Sequence, residues 1–103
     1  MRQPPKKKYV GIDKDELGGM TDTGKIIRDA WVFGFIPETE TCEGWLPDGI
    51  SSLWAKNSSE WEKYDFLVAN LPDDVRERFY RIQKEALERA KKAGWSPDLN
   101  VDE

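Results

Sequence analysis

Residues 72–97 constrain this chain more than any other stretch. Val75, Phe79, Ile82, Ala86, Ala90 and Ala93 recur there at steps of 4, 3, 4, 4 and 3, between Pro72 and the pair Gly94 and Pro97. That spacing puts apolar side chains on one face of an α-helix. Pro72 suits a first helical turn, Asp73 and Asp74 complement the positive end of the helix dipole, and Lys91 and Lys92 complement the negative end. Gly94 supplies a left-handed cap. Glu77 with Arg81, Glu85 with Arg89 and Glu88 with Lys92 have the favourable order at i, i+4, each contributing about 0.2–0.5 kcal/mol. A helix with one apolar face needs matching stripes elsewhere to cover it.

Two such stripes are present. After Thr21, Asp22 and Thr23, three N-cap candidates, come Ile26, Ile27, Ala30, Trp31 and Gly34 at helical spacing. Gly34, Phe35 and Pro37 then read as a helix stop. The alternative is a minor strand near residues 31–36, where aromatic and branched residues cluster. Ile50, Leu53, Trp54, Asn57, Trp61, Tyr64 and Val68 form the second stripe, with Trp31, Trp54 and Trp61 expected in the core. Ser59 and Glu62 have capping-box spacing, so this stripe divides into two short helices or runs as one. The expected fold is all-α, a small bundle of three to four helices. The helical domain spans residues 21–95, preceded by a flexible arm and loop at 1–20 and followed by an acidic tail at 96–103. The arm begins MRQPPKKK, basic, proline-paired and expected to be disordered.

A length of 103 residues fits one domain with a small core. The net charge of −4 is distributed unevenly: residues 37–74 carry nine acidic and two basic groups, residues 75–93 three and seven. No apolar run reaches membrane-spanning length and no secretory leader is visible, so a soluble cytoplasmic protein without a membrane partner is expected. The single Cys42 cannot close an internal disulfide. Histidine is absent, which removes Ser-His-Asp and Cys-His catalysis and every histidine-containing zinc site.

The stretch from Gly19 to Lys25 matches G-x-x-x-x-G-K, the start of a phosphate-binding loop. The signature fails at Ile26, where a magnesium-binding hydroxyl is required, and Asp22 puts a negative charge inside the cradle. A glycine-loosened loop feeding a capped helix accounts for the same residues. Asp13, Asp15 and Gly18 fit positions 1, 3 and 6 of a calcium loop, but Gly24 stands where the closing glutamate belongs. No cofactor is implied.

The connection at residues 37–49 ends in the turn-forming Pro47-Asp48-Gly49 and is long for so small a domain. Within it, Glu38, Glu40 and Glu43 surround Cys42 and are candidate metal ligands, although a solvated acidic loop is the simpler reading. Cys42 among anions is a poor nucleophile. Trp45, beside Leu46, and Trp95, after the last helix, lie off the apolar stripes and are candidate partner anchors. Tyr80 and Leu87 mark a second face of the last helix, able to meet another protein or a second copy of this chain. By exclusion, the chain is expected to be a non-enzymatic accessory or protein-interaction domain whose partner-binding residues are Cys42, Trp45, Leu46, Tyr80, Leu87 and Trp95. Its rivals are a carboxylate-based metal-binding protein or enzyme and a nucleic-acid accessory protein using Lys6, Lys7, Lys8 and the last helix, which the acidic middle opposes.

Overall fold

The computed structural model describes residues 8–95. They form three α-helices, α1 (Asp22–Phe33), α2 (Pro47–Glu62) and α3 (Asp73–Lys92), with 3₁₀ turns at Ile12–Lys14 and Val68–Asn70 and no strand among the described residues. The fold is therefore all-α. The expected disordered arm, with Lys6 and Lys7, and the acidic tail at 96–103 lie outside the described residues.

α1 begins where the hydroxyls predicted it. Thr21 caps it, its Oγ1 accepting from the Gly24 N–H at 3.1 Å. Gly34 closes it at φ 76°, with the Phe35 N–H donating to the Ala30 carbonyl at 2.9 Å. Residues 31–33 complete this helix, so the alternative strand near 31–36 does not form. A lone strand there would have left its backbone groups without partners.

α2 departs from expectation at both ends. Pro47, Asp48 and Gly49 are its first turn, with Leu46 at the N-cap, and not the turn that closes the preceding connection. Proline's fixed φ and missing N–H suit that first position as well as they suit a turn, which is why the sequence reads both ways. Ser59 and Glu62 make no break: the helix is continuous through Glu62. It ends there with Lys63 at the C-cap, short of Tyr64 and Val68, and just beyond it Asp65 and Phe66 are both left-handed with φ 55° and 58°. In α3, Ile82, Ala86 and Ala90 are buried and Val75 and Phe79 half-buried, but Ala93 is exposed because the helix has already reached its cap there. Arg81 turns away from Glu77. It makes a two-pronged pair with Glu38 at 3.0 and 2.8 Å, tying α3 to the 34–46 connection.

α1 is the central rod. It packs on both α2 and α3, which pack much less on each other; where they meet, the Trp61 and Phe79 rings lie edge to face at 6.0 Å. Ile27, Ala30 and Val32 of α1 form the centre of the core with Leu53, Ile82, Cys42 and Ile12. Burying a side chain of Ile27's size contributes about 1.5–3 kcal/mol. Two helices set on a third in this way leave a groove between them.

Residues 9–20 are docked, not loose. Ile12 joins the core, and the backbone pairs with the 41–45 connection through Tyr9 N to Trp45 O, Gly44 N to Tyr9 O (both 2.8 Å) and Ile12 N to Thr41 O at 3.0 Å. The loop then wedges between α1 and α3. A Cβ on Gly18, at φ 65°, would lie 2.9 Å from the Ala90 Cα, and one on Gly24 would lie 2.1 Å from the Gly19 carbonyl oxygen. Gly18, just before the phosphate-loop look-alike, and Gly24 within it thus allow backbone to touch backbone.

Candidate binding groove

Asp15 draws on the start of that look-alike, taking the Gly19 N–H and the Thr21 hydroxyl as donors. Its carboxylate is 9% exposed and accepts four hydrogen bonds: from the Thr21 hydroxyl, the Tyr9 hydroxyl at 2.6 Å, and the Leu17 and Gly19 N–H groups at 2.9 and 3.2 Å. Burial pushes its pKa up, but the four donors outweigh burial and hold it below the ordinary aspartate value. Burial first, then the hydrogen bond to Asp15 and its charge, raise the Tyr9 phenol, against a smaller lowering by Thr21. Arg28 donates to the Gly19 carbonyl and is drawn below its usual pKa by burial, opposed by neighbouring Asp29. Lys25, the would-be phosphate lysine, pairs with Asp29 at 3.2 Å. Asp15 also borders a cavity of about 480 Å³ with Tyr9, Trp45 and Ile50. Its acceptors are already filled.

The residues of the 37–49 connection separate. Glu38 is held by Arg81, whose hydrogen bond is the largest cause of its lowered pKa. Glu40 accepts from the Cys42 N–H at 3.0 Å, and Glu43 lies 3.9 Å from Lys14. Among the described residues no group of three or more potential ligands converges on a metal position. Cys42 is fully buried, and burial followed by the nearby Glu40 pushes its thiol up to about 11. Trp45 is half-buried against the core and Leu46 is exposed at the start of α2. Trp95 is half-buried, its backbone N–H closing α3 onto the Ala90 carbonyl at 2.9 Å while its indole N–H is buried without an acceptor. Tyr80 and Leu87 are exposed on α3. The basic face of α3 is partly committed to the fold: Arg76 contacts Asp73 and the Leu71 carbonyl, Arg78 donates to the Val32 carbonyl at 2.7 Å, and Arg81 holds Glu38.

The groove between α2 and α3 has a volume of about 670 Å³ and brings together residues that the sequence reading placed elsewhere or passed over. Ile26 and Asp29 of α1 lie along it with Asn57 and Trp61 of α2, and Trp54 and Phe66 line it while remaining 58% and 60% exposed. Trp54, expected in the core, is out because Leu53 and Asn57 take the side of α2 that meets α1, and no other helix covers the adjoining strip. Phe66 is out on a residue whose backbone is left-handed. That conformation costs a residue with a Cβ about 1–2 kcal/mol, and nothing buried repays it here.

Polar groups along the groove are incompletely paired. Asp29 is 4% exposed; its Oδ2 accepts from the Trp61 indole and the Lys25 ammonium, both at 3.2 Å. Its Oδ1 is buried with no donor. Asn57, also 4% exposed, donates its amide to the Ile26 carbonyl at 2.9 Å, yet its Oδ1 too is buried without a donor. Each such acceptor costs about 1–3 kcal/mol.

Compared with known proteins, the chain matches no family model, no curated protein and no solved structure. The sequence did carry a signal for this site. Asn57 interrupts an apolar stripe, and Asp29 falls three residues after Ile26, on the inward side of α1. Phe66 gave none, because nothing in its neighbours announces a left-handed phenylalanine.

Proposed function

We propose that this chain is a protein-interaction domain, and that its partner polypeptide docks in the groove between α2 and α3. The observation that carries this reading is the pair of exposed rings, Trp54 and Phe66, lining one groove. Tryptophan is enriched where truncation costs binding most, and a groove gives it neighbours that exclude water once a partner arrives. No helix among the described residues is long and apolar enough to cross a membrane. Tyr80 and Leu87 extend the proposed surface: they stand three residues before and four after Gln83, which lines the groove, and so share its helix face. Cys42, Trp45, Leu46 and Trp95 fall outside the proposed groove. The single cysteine supports a cytoplasmic setting as part of the same proposal.

Selection from a displayed random-peptide library against the full chain tests the reading. Recovered peptides should bind wild type and lose at least tenfold in affinity against Trp54→Ala and Phe66→Ala, about 1.4 kcal/mol each. Peptides that bind both variants as well as wild type would place the interaction elsewhere.

A further inference from the structure

We infer that the groove is built for a guanidinium: an arginine side chain of the partner reaches Asp29 and Asn57 between the rings of Trp54 and Phe66. The inference rests on the docking reading above and adds the chemistry of what docks. Among the described residues four buried side-chain atoms lack a partner, of which Arg28 Nε and Trp95 Nε1 lie on residues outside the groove. The two on groove-lining residues, Asp29 Oδ1 and Asn57 Oδ1, are acceptors that are closed to solvent and that a ligand reaches only as Lys25 and its neighbours move aside. A ligand that satisfies them must therefore donate, and an anion or a second carbonyl would leave both unpaired. One of the two belongs to a carboxylate, which favours a donor with positive charge.

The rings narrow the choice further. A planar guanidinium stacks on an aromatic face while its edge donates from several N–H groups, so one arginine can serve two separate acceptors and remain sandwiched. An ammonium is a compact, strongly hydrated charge and does not stack in this way.

One resident cation stands in the way. Lys25 pairs with Asp29 Oδ2, but its side chain is 64% exposed and free to leave for water. The incoming guanidinium takes over from it, which gives the inference a sign that a merely apolar groove would lack: removing the Lys25 charge should strengthen binding.

The test titrates the full chain with the capped tripeptide Gly-Arg-Gly, its citrulline isostere and its lysine counterpart, observed by NMR at the Asn57 side-chain amide and the Trp61 indole. The arginine peptide should shift both signals at millimolar concentration. Citrulline, matched in shape but uncharged, should bind at least tenfold more weakly, and lysine severalfold more weakly. Asp29→Asn should weaken the arginine peptide tenfold and Lys25→Ala should strengthen it severalfold. Lys25→Ala is a surface change that leaves the core intact, so it decides the matter even if Asp29→Asn perturbs folding. Citrulline binding equal to arginine, no shift at about 10 mM, or an affinity that Lys25→Ala leaves unchanged or lowers would each overturn the guanidinium assignment. Displayed peptides that need Trp54 but carry no arginine would sink it while leaving the docking reading standing. Sedimentation in which Trp54→Ala dissolves a dimer of the chain would overturn it in favour of a second copy as the occupant.

Discussion

Two buried aspartates, Asp15 and Asp29, sit at opposite extremes of satisfaction. Asp15 receives four donors and has none to spare, and the loop around it is closed by glycines pressed against α1 and α3. Asp29 is more deeply buried, yet one of its oxygens has no donor, and it lies beside a groove with exposed rings. The difference teaches how to tell a carboxylate that holds a fold together from one that is available. Burial does not separate them, but the count of donors does.

The same substitution at the two sites gives the largest expected contrast. Asp15→Asn replaces an acceptor oxygen by an NH₂ that faces donors, and should lower stability by about 2–3 kcal/mol. Asp29→Asn changes an oxygen that has no donor or keeps the Trp61 bond on the one that has, and loses only an ion pair to an exposed lysine. It should cost less than about 1 kcal/mol. Urea midpoints of the two variants measure the contrast, and equal losses would dissolve it.

Gly24→Ala sharpens the picture of the closed end. In an ordinary helix this change stabilises by up to about 1 kcal/mol. Here the new Cβ meets the Gly19 carbonyl, so a loss of about 1–3 kcal/mol is expected in thermal unfolding. A gain would mean that the loop is free to move off α1.

Acid acts on the closed end as well. The folded-state pKa values of Asp15 and Glu38 lie below those of an ordinary aspartate and glutamate, about 3.9 and 4.3. Their contributions are fully present above those values and are lost as pH falls through the lower, folded ones, because the unfolded chain then binds more protons. Stability should therefore decline below about pH 4.5, and Asp15→Asn should flatten the lower part of that decline. Arg81→Ala, which releases Glu38 on an exposed surface, should flatten the upper part and cost under about 1 kcal/mol.

The smallest stability effect belongs to the open end. Phe66→Gly relieves a left-handed residue and removes an exposed ring, and should raise stability by about 0.5 kcal/mol while abolishing peptide capture. A variant that becomes less stable would show that the ring supports the fold and is not held out for a partner.

Much of the architecture was legible along the chain. Helix periodicity, the Thr21 cap, the Gly34 and Gly94 stops and the acidic start of α3 depend on residues near one another in sequence, so a linear reading finds them. The course of Pro47-Asp48-Gly49 and of Ser59 to Glu62 did not follow, because the same local chemistry serves a turn, a helix start or a helix interior, and packing on α1 selects among these. Neither did the groove. Arg81's preference for Glu38 over Glu77, Trp54's exposure beside a buried Leu53, and the missing donors at Asp29 and Asn57 all arise where segments distant in sequence meet or fail to meet. By itself, then, the sequence determined amphipathic rods, three or four of them, and the chemistries that a histidine-free chain excludes. Only the tertiary structure decided that two rods pack on the third with little contact between themselves, since helix packing depends on the shapes of facing surfaces, and that arrangement leaves a groove lined by exposed rings.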